Sequence, residues 1–86
     1  MVADKNDVMP LLKTARGQVE GLIKMVEDDR YCVDISTQIL ACRALLDKCN
    51  KIILSAHVKG CVAQALKSGD DSKIDEMITL LDKMAK

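Results

Sequence analysis

From Cys32 to Lys67 the chain contains no proline and a single glycine, Gly60. Within that stretch Ile35, Ile39, Cys42, Leu46, Cys49, Ile53, Ala56 and Gly60 are separated by 4, 3, 4, 3, 4, 3 and 4 residues. This spacing is a heptad seam, and such a seam wants a partner helix along its whole length. A helix over residues 32–67 is ~54 Å long at about 1.5 Å per residue. The chain has only 86 residues, so a short helix on either side cannot cover that length. The pattern predicts a homo-oligomer in which the long helices pair antiparallel about a two-fold axis, the simplest closed arrangement.

The remaining segments also read as helix. Leu11, Leu12, Ala15, Val19, Leu22, Ile23 and Val26 follow a 3.6-residue period and predict a first helix over 8–26. Asn6 or Asp7 is the expected cap, with Pro10 tolerated in or near the first turn. Gly17 and Gly21 each cost roughly 1 kcal/mol of helix propensity, which suggests close approach of another helix. Glu27 to Arg30 reads as a loop. Gly69 reads as a left-handed cap ending the second helix. Asp70 or Asp71 opens a third helix over 71–85, with Ile74, Met77, Ile78, Leu81 and Met84 on its apolar face. The expected fold class is therefore all-α, with three helices in a single domain spanning residues 1–86 and a long central helix. Composition agrees: 49% of residues are hydrophobic but 1% are aromatic, which favours helices over a β-sandwich.

That scarcity of aromatics also removes stacking platforms for single-stranded nucleic acid. Thirteen basic and thirteen acidic residues cancel, so attraction to DNA must come from a local cluster or from assembly. The N-terminal residues are polar, and no apolar run approaches the ~20 residues of a membrane-spanning helix. The expectation is a cytoplasmic protein without a membrane partner. In that setting four cysteines point to metal binding or thiol chemistry rather than to disulfides.

Those cysteines have a telling distribution. His57, the lone histidine, and Cys61 are spaced i, i+4, which places them on one helix face and lets them share a metal ion. Cys32 lies 25 residues before His57, ~37 Å away along a straight helix. An antiparallel dimer with its axis near Leu45 and Leu46 brings Cys32 of one protomer to the His57 and Cys61 end of the other. The geometry predicts two intersubunit sites per dimer, each with two thiolates and an imidazole. Such donors suit trigonal Cu(I), whereas Zn usually wants a fourth ligand. Cys42 and Cys49 lie in the seam and read as small apolar core residues. The same register sets Cys42 near Cys49 of the other protomer, an oxidation-sensitive pair if they meet. No carboxylate pair or nucleophile–base arrangement is present, so the chain is not expected to be an enzyme.

The runs Arg16-Gly-Gln-Val-Glu-Gly21, Met25-Val-Glu-Asp-Asp-Arg-Tyr-Cys32 and Asp34-Ile-Ser-Thr-Gln-Ile39, followed by His57-x-x-x-Cys61, carry a resemblance. From Leu12 to its C-terminus the chain resembles the copper-sensitive operon repressor family (CsoR/RcnR/FrmR) of bacterial transcriptional repressors. The Cys, His, Cys order matches the copper sensors. Nickel and cobalt sensors usually carry His at the last position, and persulfide sensors lack the His. The resemblance implies a three-helix protomer, a four-helix bundle as homodimer and a disc-shaped homotetramer. It implies that the metal-free protein binds operator DNA and that Cu(I) lowers its affinity. By position, Cys32, His57 and Cys61 are the implied metal ligands. Tyr31 and a third-helix glutamate, best matched by Glu76, are the implied relay to the DNA surface. A metal-bound histidine commonly donates its other N–H to such a group.

The DNA end departs from the family pattern. Leu11 and Thr14 stand where basic residues are common, Arg16 where an acid is common, and Glu20 where an arginine is common. Lys13, Arg16, Glu20 and Lys24 still share one net-positive face. Lys13, Arg16 and Lys24 are therefore the candidate DNA-binding residues, repeated by assembly. Two other readings compete. One is a repressor sensing persulfide or another sulfur electrophile through Cys32 and Cys61 across the dimer. The other, motivated by zero net charge and Glu20, is a metal-binding protein that does not bind DNA.

Overall fold

The computed structural model describes residues 1–69 and 72–84. They form three helices: α1 (Lys5–Glu27), α2 (Cys32–Ser68) and α3 (Ser72–Met84). The expected boundaries 8–26 and 32–67 thus become slightly longer helices. The proposed openings at Asp70 or Asp71, and the end at residue 85, lie outside the described residues.

The start of α1 corrects the expected cap. Asp4, not Asn6 or Asp7, is the N-cap, and its Oδ1 accepts from the Asn6 N–H at 2.9 Å. Ala3 before the cap and Val8 in the first turn are both buried and belong to one cluster. That is a hydrophobic staple, and it fixes the direction in which the chain enters the helix. Pro10 therefore sits beyond the first turn, inside α1. Its missing N–H leaves the Asn6 carbonyl without a helical donor, and Asn6 is exposed, so water can supply one.

The α1–α2 turn has a defined geometry. The Arg30 N–H donates to the Met25 carbonyl at 3.0 Å and the Asp29 N–H to the Val26 carbonyl at 3.1 Å, with Asp29 at φ 50°. This is a Schellman ending, with aspartate in the left-handed position that glycine usually takes. Gly69 ends α2 at φ 73°, its N–H donating to the Ala65 carbonyl at 2.8 Å, as its position in the sequence leads one to expect.

Helices α1 and α2 run antiparallel. Ala15 lies against Cys42, whose thiol donates to the Ala15 carbonyl at 3.9 Å. Val8 and Ala3 lie against Cys49, with Leu11, Ile52, Ile53 and Ala56 around them. Val2 lies over Gly60, with methyl carbons 3.6 and 3.8 Å from where a Cβ would stand. Much of the heptad seam is thus covered by α1 and the N-terminal arm of the same chain. This corrects the expectation at Cys42, Cys49 and the Ile53 to Gly60 end of the seam, while Ile39 and Leu46, 51% and 44% exposed, keep the need for another chain. Within the protomer Cys42 and Cys49 are buried against α1 and the N-terminal arm. Gly17 and Gly21 do not serve a close approach within the protomer: a Cβ on either would meet nothing within 4 Å.

The chain remains unfinished as a globule. It measures 57 × 29 × 13 Å with a radius of gyration of 17.4 Å, against about 12 Å for a compact domain of this length. Its surface of 6664 Å² compares with roughly 5,000 Å² for a compact chain of this mass. Among the described residues seven hydrophobic side chains are buried and eighteen large ones are exposed. Such a ratio marks surface awaiting a partner. Among the described residues no helix is long and apolar enough to cross a membrane.

Candidate metal centre

Helix α2 positions all three sulfur and nitrogen donors singled out by the sequence. Cys32 is its first residue and is exposed; His57 is half-buried; Cys61 is buried, and all four thiols are free. His57 and Cys61 sit one turn apart on one face. Cys32 is separated from His57 by ~37 Å of helix, in keeping with the 57 Å length of the molecule. Among the described residues no three His, Cys, Asp or Glu side chains come together as a metal cluster. The protomer therefore brings together two of the three expected ligands and holds the third at the far end.

Tyr31 travels with Cys32. It is the N-cap residue of α2, its side chain makes no capping bond, and it is 65% exposed. Its carbonyl accepts from the Asp34 and Ile35 N–H groups at 3.0 and 3.2 Å. The backbone is thus held while the phenol is left open. Glu76 travels with His57. Both line a cavity of about 310 Å³ together with Met1, Val2, Ile53, Leu54, Met77 and Leu80. Buried Met77 anchors α3 there.

One participant escapes sequence reasoning. The N-terminal arm reaches the same place: Met1 and Val2 line the His57 cavity, and Val2 rests over Gly60 between His57 and Cys61. The available signals are the Ala3–Val8 staple around Asp4 and the lone glycine inside α2. Neither, taken alone, says where the arm lands.

At the opposite end an apolar cleft of about 310 Å³ opens between α1 and α2, lined by Val19, Leu22, Ile23, Val26, Glu27, Ile35 and Ile39. Ile23, Val26 and Ile39 are more than half exposed. Cys32 and Tyr31 lie beside this cleft in sequence, at the start of α2.

The candidate DNA-binding residues Lys13, Arg16 and Lys24 are all exposed on α1, as is Glu20. The ion pair among the described residues is elsewhere, between Arg43 and Asp47 at 4.0 Å on exposed α2 surface. The three cations are left to act on something outside the protomer.

Fold and donors define a class: an all-α protomer with a large open apolar surface and soft donors at both ends of its longest helix. A family model described as metal-sensitive transcriptional repressor matches residues 4–83, and the chain belongs to that family. The copper-sensing transcriptional repressor CsoR of Bacillus subtilis (strain 168) is 42% identical over 84 residues, covering 96% of this chain and 83% of that protein. The crystal structure of the copper-sensing repressor CsoR with Cu(I) from Geobacillus thermodenitrificans NG80-2 superposes with a TM-score of 0.86 at 38% identity, covering 95% of this chain and 86% of that one. The nickel-responsive transcriptional regulator InrS superposes with a TM-score of 0.82 at 25% identity, covering 96% and 94%. The protein is accordingly a metal-sensitive transcriptional repressor and not an enzyme, and family membership carries DNA binding and oligomerisation with it.

Proposed function

We propose that this chain is a cytoplasmic Cu(I)-responsive repressor whose metal-free form holds operator DNA. Its site is shared between two protomers of an antiparallel dimer: Cys32 of one, with His57 and Cys61 of the other. The observation that carries this reading is the division of the donors, two on one face at one end of α2 and one at its start.

The residues fit the metal. Two thiolates and one imidazole form a soft set that suits Cu(I). His57 holds the ion through one ring nitrogen. Glu76, which lines the same cavity, accepts from the other ring N–H and fixes the imidazole. Tyr31 arrives with Cys32 from the second protomer and extends that polar link to the other chain. Because Glu76 is on α3 and Tyr31 on the α1–α2 turn, a shift at His57 reaches both neighbours of α2. Lys13, Arg16 and Lys24 supply the phosphate contacts, each weak alone and repeated over a homotetramer.

Fluorescence anisotropy with promoter DNA, run anaerobically at several salt concentrations, tests the reading. Added Cu(I) should weaken wild-type binding at least tenfold and leave His57→Ala bound. DNA binding indifferent to Cu(I), or a His57→Ala variant that responds as wild type does, would contradict it. In the second case the weight moves to sulfur chemistry at Cys32 and Cys61, which has no need of the imidazole.

A further inference from the structure

The cavity beside His57 holds donors that the shared site leaves unused. Met77 and Met1 bring two thioethers to it, Glu76 a carboxylate and His57 its imidazole, between apolar walls that include Ile53 and Leu80. Met77 is 5% exposed, at the inner wall, and Met1, 74% exposed, stands at the mouth. All four groups come from one protomer, whereas the thiolates Cys32 and Cys61 lie at opposite ends of α2. The cavity measures about 310 Å³, so these side chains do not fill it.

The donor chemistry is selective. A thioether is a soft ligand that favours Cu(I); Zn takes thiolate, imidazole or carboxylate, and Mg and Ca take oxygen. Imidazole and thioether are neutral, so Cu(I) held by them keeps its single positive charge. The Glu76 carboxylate in the same cavity balances that charge. Methionine is also a flexible filler of irregular core gaps, so Met77 can pack α3 on α2 and still offer its sulfur to the cavity.

We propose that this cavity is a loading site, where one protomer takes up Cu(I) through His57 and Met77, with Met1 at the entrance, before the ion passes to the two thiolates. Only the onward step rests on the shared-site reading above. Thiolates hold the ion more tightly than a thioether does, so that step runs downhill. An ion in the cavity competes with Glu76 for one ring nitrogen, the one whose N–H the finished site gives to Glu76. The two states of His57 are therefore exclusive, and the cavity empties as the shared site fills. Copper stays Cu(I) throughout. The imidazole proton moves to the nitrogen on the Glu76 side, and the Cys32 and Cys61 thiols release theirs to solvent as they bind.

The test uses the full-length protein with Cys32→Ala and Cys61→Ala together, which removes both thiolates of the shared site. Its five methionines carry isotope-labelled methyl groups, and Cu(I) is added anaerobically. In nuclear magnetic resonance spectra the Met77 methyl signal should move together with the His57 ring signals. Met9, Met25 and Met84 do not line the cavity, and their signals should stay. Against a competing chelator this double variant should bind Cu(I) more weakly than wild type. Adding Met77→Leu, which nearly conserves volume, should weaken it by about another tenfold. In the chain with all its cysteines, Met77→Leu should leave the final affinity unchanged but slow Cu(I) uptake severalfold in stopped flow. Circular dichroism checks that each variant keeps its helices. A Met77 methyl that stays in place, a shift confined to Met1, or affinity indifferent to Met77→Leu in the double variant would overturn the inference. So would uptake by Met77→Leu as fast as by wild type. The shared-site reading fails separately: a wild type that binds Cu(I) no more tightly than the double variant contradicts that reading and leaves the Met77 shift standing.

Discussion

The two ends of the α1–α2 pair are built from the same kinds of residue yet finished differently. At one end Ala3, Val8 and Cys49 are nearly closed to solvent, and the N-terminal arm runs on over Gly60. At the other end Val19, Ile23, Val26, Ile35 and Ile39 line an open apolar cleft. The closed end is stabilised within the chain by a staple, a cap and a short arm. Among the described residues no segment of the chain covers the open end. The expected ligands are divided between the ends in the same way, with His57 and Cys61 near the closed end and Cys32 at the open one. On the proposed reading, whatever covers the cleft also completes the donor set, so assembly of the metal-free protein prepares the site that the metal then fills.

The sharpest way to break the comparison is to make the open end polar. Ile23→Glu with Ile39→Glu should reduce the protein to single chains in sedimentation velocity. Because an oligomer's folding stability includes its association free energy, melting should fall to a lower temperature that no longer depends on protein concentration, or the cooperative transition should be lost. The same change would be expected to do little if the cleft faced solvent in the working protein. At the closed end Val8→Ala should cost about 2 kcal/mol, by lost burial and the cavity left behind, read as a lower urea midpoint at fixed protein concentration.

The two seam cysteines sharpen the contrast further. Cys49→Ser buries a hydroxyl in an apolar cluster, at a cost of about 1–3 kcal/mol. Cys42→Ser keeps the Ala15 carbonyl as an acceptor and should cost clearly less. Equal losses in urea denaturation would contradict the packing of Cys42 on α1. The smallest effect has the opposite sign. Asp29 occupies a left-handed position, and Asp29→Gly relieves its Cβ crowding. A gain of roughly 0.5 kcal/mol is expected, visible as a small rise in melting temperature.

Much of this was legible from residue spacing. The limits of α2 follow from the unbroken 4–3 pattern and from Gly69. The His57–Cys61 pair and its distance from Cys32 follow from helix geometry alone. What could not be read is which surface covers the seam. A 4–3 pattern states that a helix face is buried but not whether the cover comes from the same chain, and here Ala15 and Val8 on α1 cover Cys42 and Cys49. The start of α1 escapes the apolar periodicity because Asp4 caps it through a local side-chain bond four residues ahead of Val8. The arm was missed because a short apolar segment has no periodicity, and its place beside His57 is decided by tertiary packing. Gly17 and Gly21 pointed to a close neighbour that the protomer does not contain.

The most direct test of the shared site is complementation between Cys32→Ala and Cys61→Ala, measured by anaerobic Cu(I) titration against a competing chelator. Each variant alone should lose tight binding. After unfolding together and refolding as a 1:1 mixture, half the dimers pair one of each and keep one intact site of two. About a quarter of the wild-type tight Cu(I) should therefore return. No return on mixing, with each variant folded and dimeric, would contradict a site built from two protomers.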